Sequence, residues 1–508
     1  MRMRSIIAVL ALLSACTIGK AQTKSMHQLQ QEFVDLRFGM FIHFNMPTFH
    51  DADWPDPQAP ASDFNPKRLD CNQWAEAAKS AGMTYGCLTT KHHSGFCIWD
   101  TKTTDYNVMN SPLKRDVVRE YVDAFRKAGL KTMLYYSILD IHHELRPHKI
   151  VPKHINMVKQ QLTELLTNYG EITALIIDGW DAPWSRISYT DIPFEDIYRL
   201  VKSLQPNCLV MDLNAAKYPR EALFYTDIKS YEQGAGQKIS TSENELPALA
   251  CLPLQENWFW KPKFPTDKMK PAKEMVKDNI DPYGLAHCNF ILNVAPNRDG
   301  LMDDNALKEL KEIGKLYTKR GHVADVKAAE APIISRNIAK AQPSTSSYSD
   351  DYNIMDFAND DNFKTCWTSS PTVQTPWYAV ELGHEQPFNM VVITDRDNDR
   401  LQNYVIEYRA NGTWHKAFEG NAPSASRVKI HRFDTVWGDA VRLTVNSSKR
   451  LTSIAEFGVF NEKREHGIKH RQHNAQQHTT THQHHSQDLP LPHSLYRYAG
   501  SVSRTTHR

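Results

Sequence analysis

Ala174-Leu175-Ile176-Ile177-Asp178-Gly179-Trp180 is an apolar run closed by a carboxylate, a glycine and an indole. A run this short, unbroken by polar residues, reads as a strand buried on both faces, the form strands take in a parallel sheet. Upstream lie a helical pattern over 154–169 and a strand-like run over 132–137. Downstream come a helical pattern over 194–204 and strand-like runs at 208–213 and 223–230. The alternation extends back through a helix at 115–128, a strand at 84–90, a helix at 71–81 and a strand at 39–43. It extends forward to a strand at 290–294 and a helix at 305–319. Repeated in this way, it specifies a parallel sheet with helical crossovers. Over residues 26–322 it predicts a (β/α)8-like barrel, with functional groups gathered at the C-terminal ends of the strands. A doubly wound open sheet is the alternative, but no glycine-rich phosphate loop follows the first strand.

The residues at those predicted strand ends are His43, Lys91-His92-His93, Tyr135-Tyr136 and Asp178. Neighbouring residues on a strand point to opposite faces, so His92-His93 does not belong to an ordinary core. Followed by Phe96 and Trp99, the pair suits a sugar, which offers hydroxyls to hydrogen-bond and C–H faces to stack on. The plainer reading is a surface loop with two solvated histidines. Asp178 reads as a nucleophile or base in a polar pocket, or alternatively as a helix cap or structural carboxylate.

The whole chain has 508 residues, a formal net charge of +2 and balanced Lys+Arg and Asp+Glu counts of 60 and 58. That balance argues against a nucleic-acid binder, which needs a basic surplus. Arg2 and Arg4 followed by the apolar run 6–13 read as an export signal over 1–21, too short to span a membrane. Two cleavage sites compete: a bacterial lipobox-like Leu13-Ser14-Ala15-Cys16, which would lipidate Cys16, and Gly19-Lys20-Ala21 before Gln22. The expected location is therefore the periplasm or, lipid-anchored, the envelope of a bacterium. No other segment is long and apolar enough to cross a bilayer. The eight cysteines are scattered, without a C-x-x-C pair, so neither a zinc site nor a disulfide framework is indicated. After a linker over 323–338 the pattern turns all-β, with strand-like runs at 377–382, 390–393, 404–408 and 440–445, which predicts a β-sandwich over 339–461. Residues 462–508 are polar and His-rich, the composition of a disordered tail, with metal capture by the histidines as a lesser reading.

Several of these stretches together resemble glycoside hydrolase family 29, the retaining α-L-fucosidases. They are Arg37-Phe38-Gly39-Met40-Phe41-Ile42-His43-Phe44, residues 89–100, Lys114-Arg115-Asp116-Val117-Val118, Leu134-Tyr135-Tyr136-Ser137 and Leu292-Asn293-Val294-Ala295-Pro296. The resemblance implies an exo-acting enzyme that removes terminal fucose from glycans by double displacement and needs no cofactor. It puts Asp178 at the nucleophile, His43, His92 and His93 at hydroxyl-binding positions, and Tyr135 in the same pocket. Asp53-Trp54 falls where the family often has Glu-Trp. The acid/base is displaced: where many members carry Trp-Glu-x-Cys, this chain reads Ala248-Leu249-Ala250-Cys251. Glu232, just past an apolar strand, is the first candidate, Glu256 the second and Glu245 the third. Ile176 and Leu213 stand where the family usually has Trp and Arg. Two alternatives follow: a fucose- or glycan-binding protein with impaired catalysis, and an enzyme acting on a related sugar such as an α-L-galactoside.

Ala358-Asn359-Asp360-Asp361-Asn362-Phe363-Lys364-Thr365-Cys366-Trp367 and Ser453-Ile454-Ala455-Glu456-Phe457 resemble the discoidin-like (coagulation factor 5/8 type C) sandwich. That resemblance implies a structural calcium with Asp360, Asn362, Thr365 and Glu456 as candidate ligands. Turn and cap roles are the alternative, and Asp361 stands where the motif usually has glycine. The expected partner is a fucosylated glycan, with no nucleic acid.

Overall fold

The computed structural model describes residues 23–463, apart from 243, 328–330, 350–351, 399 and 421–425. The export segment with Cys16, and the His-rich tail from 464 onward, lie outside the described residues. Eight strands carry the first half: β1 (Phe38–Ile42), β2 (Tyr85–Lys91), β3 (Lys131–Ser137), β4 (Ala174–Asp178), β5 (Leu209–Asp212), β6 (Lys229–Glu232), β7 (Ala248–Pro253) and β8 (Cys288–Asn293). They form one parallel sheet in the order β5-β4-β3-β2-β1-β8-β7-β6. At the seam between β5 and β6, the Asp227 N–H donates to Val210 O and the Asp227 carboxylate accepts from the Val210 N–H, each at 2.8 Å. A side chain there does part of the work of a ladder and nearly closes the barrel.

Strand alternation sorts the apolar residues into two cores. Phe41, Cys87, Met133, Tyr135, Ile176, Met211, Leu249 and Ile291 pack inside the barrel. Met40, Leu88, Leu134, Leu175, Ile177 and Leu292 face outward, against apolar residues of the surrounding helices such as Trp74, Tyr121, Leu162 and Ile197. Helix α1 (Met26–Asp35) closes the N-terminal end, with Phe33 and Val34 continuing the inner core. Around the barrel run α2 (Cys71–Ser80), α3 (Val117–Lys127), α4 (Pro152–Thr167), α5 (Phe194–Leu204) and α6 (Asp304–Leu316). Asp70 and Asp116 cap α2 and α3 by accepting from N–H groups of the first turn. No helix among the described residues is long and apolar enough to cross a membrane.

Two sequence expectations fail in the same region. The strand expected over 223–230 starts only at Lys229, because Tyr225 turns into left-handed backbone (φ 55°) and Asp227 is bonded to β5. Strand β7 follows without a full helical crossover: among the described residues, the β5–β6 and β6–β7 connections contain only three-residue helical turns. Its alanines and flanking prolines hid it from the hydrophobic pattern.

The segment expected to be a linker is well attached. Val323 and Val326 are buried beneath the barrel, their N–H groups donating to Asp35 and Gln31 of α1, each at 2.7 Å. Beyond it, β9 (Ser344–Ser346), β10 (Trp367–Thr368), β11 (Trp377–Asp395), β12 (Leu401–Ala410), β13 (Thr413–Gly420), β14 (Val428–Ser448) and β15 (Ser453–Phe460) form an antiparallel sheet. The expected strands 377–382 and 390–393 are two halves of β11, whose register against β14 shifts between Glu381 and Gln386 and again between Phe388 and Met390. Trp367, Tyr378, Phe388, Ile406, Leu443 and Phe457 share one buried core.

The calcium candidates bond to one another and to nearby backbone. Asp360 accepts from the Asn362 N–H at 2.9 Å and the Thr365 hydroxyl at 2.8 Å, and Glu456 accepts from the Asp361 N–H at 3.1 Å. Lys340 and Lys217 both pair with Asp361 at this loop. Among the described residues no group of three or more His, Cys, Asp or Glu gathers to hold a metal.

Candidate active site

Alternation along β3 and β4 brings Tyr135, Ser137 and Asp178 to the barrel mouth, Ser137 being in register with Asp178. Both oxygens of Asp178 are held: the Tyr135 hydroxyl donates to Oδ2 at 2.6 Å and the Asn214 amide to Oδ1 at 2.9 Å. Burial raises the Asp178 carboxyl above its ordinary range, while Tyr135, Asn214 and the Gly179 N–H work in the opposite direction.

The three histidines form one wall. His43 follows β1, and its Nδ1 meets Asn293 Oδ1 at 2.8 Å. The Asn293 amide nitrogen donates to Trp258 O at 2.7 Å, which makes Oδ1 the acceptor and leaves the His43 Nε2 lone pair for a ligand. His93 Nδ1 lies 2.7 Å from Ser137 Oγ, whose own proton goes to Leu139 O at 2.9 Å. His93 therefore donates through Nδ1, and its Nε2 stands 3.8 Å from Asp178 Oδ2. Burial pushes His43 and His93 down to about 3 and His92 well below its ordinary value. All three are neutral imidazoles at ordinary pH, and with their Nδ1–H committed His43 and His93 present Nε2 as an acceptor for hydroxyl protons. Trp54 and Trp184, about 45 % and 43 % exposed, flank His93 at ring separations of 4.7 and 4.3 Å. Asp53 is committed to an ion pair with Lys261 at 2.9 Å.

The three acid/base candidates separate cleanly in space. Glu232 ends β6 beside Cys251 of β7, with Tyr231 packed outward and the glutamate turned to the mouth. Burial and the neighbouring charge of Asp178 raise it to about 7, opposed by a hydrogen bond from Trp258. Glu245 precedes β7, at the opposite end of the barrel, and is exposed and paired with Lys327 at 2.6 Å. Glu256 lies past β7 but is 67 % exposed and paired with Lys263. Of these three, Glu232 shares the electrostatic environment of Asp178.

A model of the Alpha-L-fucosidase family matches residues 14–322. The chain belongs to the alpha-L-fucosidase family. A model of the F5/8 type C domain matches 341–457. The chain is 27 % identical over 469 residues to Alpha-L-fucosidase 1 of Arabidopsis thaliana, covering 86 % of this chain and 87 % of that one. It is 32 % identical over 336 residues to the plasma alpha-L-fucosidase of Homo sapiens, covering 58 % and 68 % respectively. The solved structure of alpha-L-fucosidase isoenzyme 1 from Paenibacillus thiaminolyticus shares the fold, with a TM-score of 0.51, 23 % identity and coverage of 84 % of this chain and 100 % of that one.

The departures from the family pattern are accounted for locally. Ile176 and Leu213 both lie in the inner barrel core, so these positions fill space where the pattern has an indole and a guanidinium. The residue after Leu213, Asn214, is the one that reaches Asp178. Sequence reasoning missed Asn214, Trp258 and Trp184. Trp258, next to the Glu256-Asn257 pair, was within sight as an aromatic near a strand end; nothing local marked the other two.

Proposed function

We propose that the protein is a retaining exo-α-L-fucosidase that removes terminal fucose from fucosylated glycans with no cofactor. Asp178 attacks the anomeric carbon, and Glu232, protonated, gives its proton to the departing glycosidic oxygen. Glu232 then takes a proton from the water that releases the fucosyl-enzyme, the double-displacement sequence of retaining enzymes. His43, His92 and His93 hold the sugar hydroxyls, Tyr135 orients the nucleophile, and the Trp54 indole packs on the ring.

The observation that carries this reading is the pairing of unlike carboxyls. Asp178 has a donor on each oxygen, while Glu232 is raised to about 7 partly by the charge of Asp178. One group favours attack and the other proton donation, as general acid–base work near neutral pH demands. It supports an active hydrolase over a binding protein with impaired catalysis.

Azide rescue tests the two roles together. Asp178→Gly should cleave no fucoside unless azide is added, then yield β-fucosyl azide. Glu232→Ala should cleave only activated fucosides and yield α-fucosyl azide. Full activity of Glu232→Ala on a fucosylated oligosaccharide would remove Glu232 from the mechanism. We further infer export to a bacterial envelope from the signal-like residues 1–21. Metabolic labelling with palmitate, abolished by Cys16→Ser, would distinguish lipid anchoring from simple cleavage.

A further inference from the structure

The turn after Asp178 carries one exposed indole on a fixed base. Gly179 (φ 108°) and Asp181 (φ 51°) both take left-handed backbone, and the Asp181 N–H donates to Ile187 O at 2.7 Å. Trp180 is buried, with its indole N–H on Ile192 O at 2.9 Å. Between these anchors the turn projects Trp184 over His93 and edge-on to Trp54 at 5.5 Å. Asp181 is the foot of that turn.

Lys217, in the segment after β5, grips the foot. Its ammonium pairs with Asp181 and, at 2.8 Å, with Asp361 of the C-terminal domain. Burial opposes the charge on Lys217, but Asp361 and Asp181 outweigh it and hold the ammonium above the usual lysine range. Asp361 is only 11 % exposed and sits at φ 62°, left-handed backbone that aspartate tolerates better than most side chains. Its carboxylate is held between two ammonium groups, Lys217 at 2.8 Å and Lys340 at 2.6 Å. Nearby, Phe363 stands 5.4 Å from Tyr218, so the loop is seated on the barrel beside Lys217.

We infer that Asp361 is a positioning residue for the rim of the active site: through Lys217 and Asp181 it holds the exposed Trp184 at the mouth, as a stacking wall for the part of the glycan that projects beyond the fucose held by the histidines. The inference rests on the fucosidase reading and gives the second domain a part in substrate selection. An indole face against the C–H face of the adjoining pyranose favours glycans over substrates lacking that sugar.

The test compares α-L-fucosyl fluoride, which has no adjoining sugar, with the fucosylated trisaccharide that the wild-type protein cleaves best. Asp361→Asn and Lys217→Met should each raise KM for the trisaccharide about 3- to 10-fold, the range of one aromatic contact. Both should leave kcat for it, and all kinetics on the fluoride, essentially unchanged. Lys340→Met, which removes the other lysine on Asp361 but not the link to Asp181, should change neither substrate. Asp361→Glu should recover most of the lost KM. An unchanged trisaccharide KM in Asp361→Asn and Lys217→Met overturns the inference, as does an equal loss on both substrates accompanied by a lower Tm. A readout without activity separates this from the fucosidase reading. In protein labelled with 5-fluorotryptophan, the 19F resonance of Trp184, assigned by its loss in Trp184→Phe, should shift in Asp361→Asn and Lys217→Met but not in Lys340→Met. If the wild-type protein cleaves neither substrate, the fucosidase reading falls and the 19F shifts alone decide the clamp; a resonance unmoved in all three variants rejects it.

Discussion

Asn214 donates to one oxygen of Asp178 and Tyr135 to the other, so the two side chains, with the Gly179 N–H, set the charge and aim of the carboxylate. A hydrogen bond to a charged group contributes about 1.5–3 kcal/mol. Its loss leaves the carboxylate poorly aimed for attack, so Asn214→Ala should lower kcat/KM about 10- to 100-fold. Asn214 also pulls the Asp178 carboxyl down against burial, so its loss should move the acid limb of the pH–rate profile to higher pH. The alkaline limb has a separate source. Glu232 must be protonated to act as the acid and is raised to about 7, so kcat/KM on an oligosaccharide should fall as pH rises through that value. Glu232→Gln should abolish this limb on an activated fucoside whose leaving group needs no proton. A limb that persists in Glu232→Gln would assign it to another group.

Along β2 the register against β3 shifts between Thr89 and Lys91, an irregularity that re-aims the residues beyond it. Lys91 turns into the protein, with Nζ 3.0 Å from the Tyr136 hydroxyl, 3.1 Å from Gln161 and 3.2 Å from Asp140, while His92 and His93 stay at the mouth. Lys91 and Asp140 are both fully buried. Removing one partner strands the other charge, so Lys91→Met should cost about 3–5 kcal/mol in urea denaturation, and Lys91→Met with Asp140→Asn should recover part of it. Strands such as β4 were legible because an apolar run buried on both faces leaves a plain mark in sequence. The same holds for the helices, whose apolar residues recur at the helical period. The β2 irregularity left no mark, since it depends on what lies across the sheet. Glu232 was legible as the first of three candidate carboxylates, and the register that sets β6 beside β7 supports that ranking, one strand away from the expected Leu249 position. Asn214 was invisible because the family pattern directs attention to Leu213, which points into the core.

At the scale of the whole molecule, the change of texture near residue 323 suggests two folds that could melt separately. The contacts between barrel and sandwich argue otherwise. Met390, Val392, Val428 and Phe460 of the sandwich belong to the same buried apolar cluster as the outer layer of the barrel. Phe363 sits 5.4 Å from Tyr218 and 6.2 Å from Phe224, on the segment that joins β5 to β6. The backbone is shared as well: the Tyr225 N–H donates to Ile333 O at 2.8 Å, and the Ile333 N–H to Leu223 O at 2.9 Å. Domains within a chain move independently unless their interface is large and apolar, and this one is apolar and hydrogen-bonded. Scanning calorimetry of the intact chain should therefore give one transition in which both folds unfold together. Phe363→Ser places a hydroxyl among these rings and should remove about 1–3 kcal/mol from the junction alone. The single transition should then split, with the sandwich melting first, since the barrel keeps both of its own cores while the sandwich loses part of its support. Two transitions in the wild-type protein would mean that the junction couples the folds more weakly than its packing implies. The link from Asp361 to the active-site turn would then have to rest on the ion pairs of Lys217 alone.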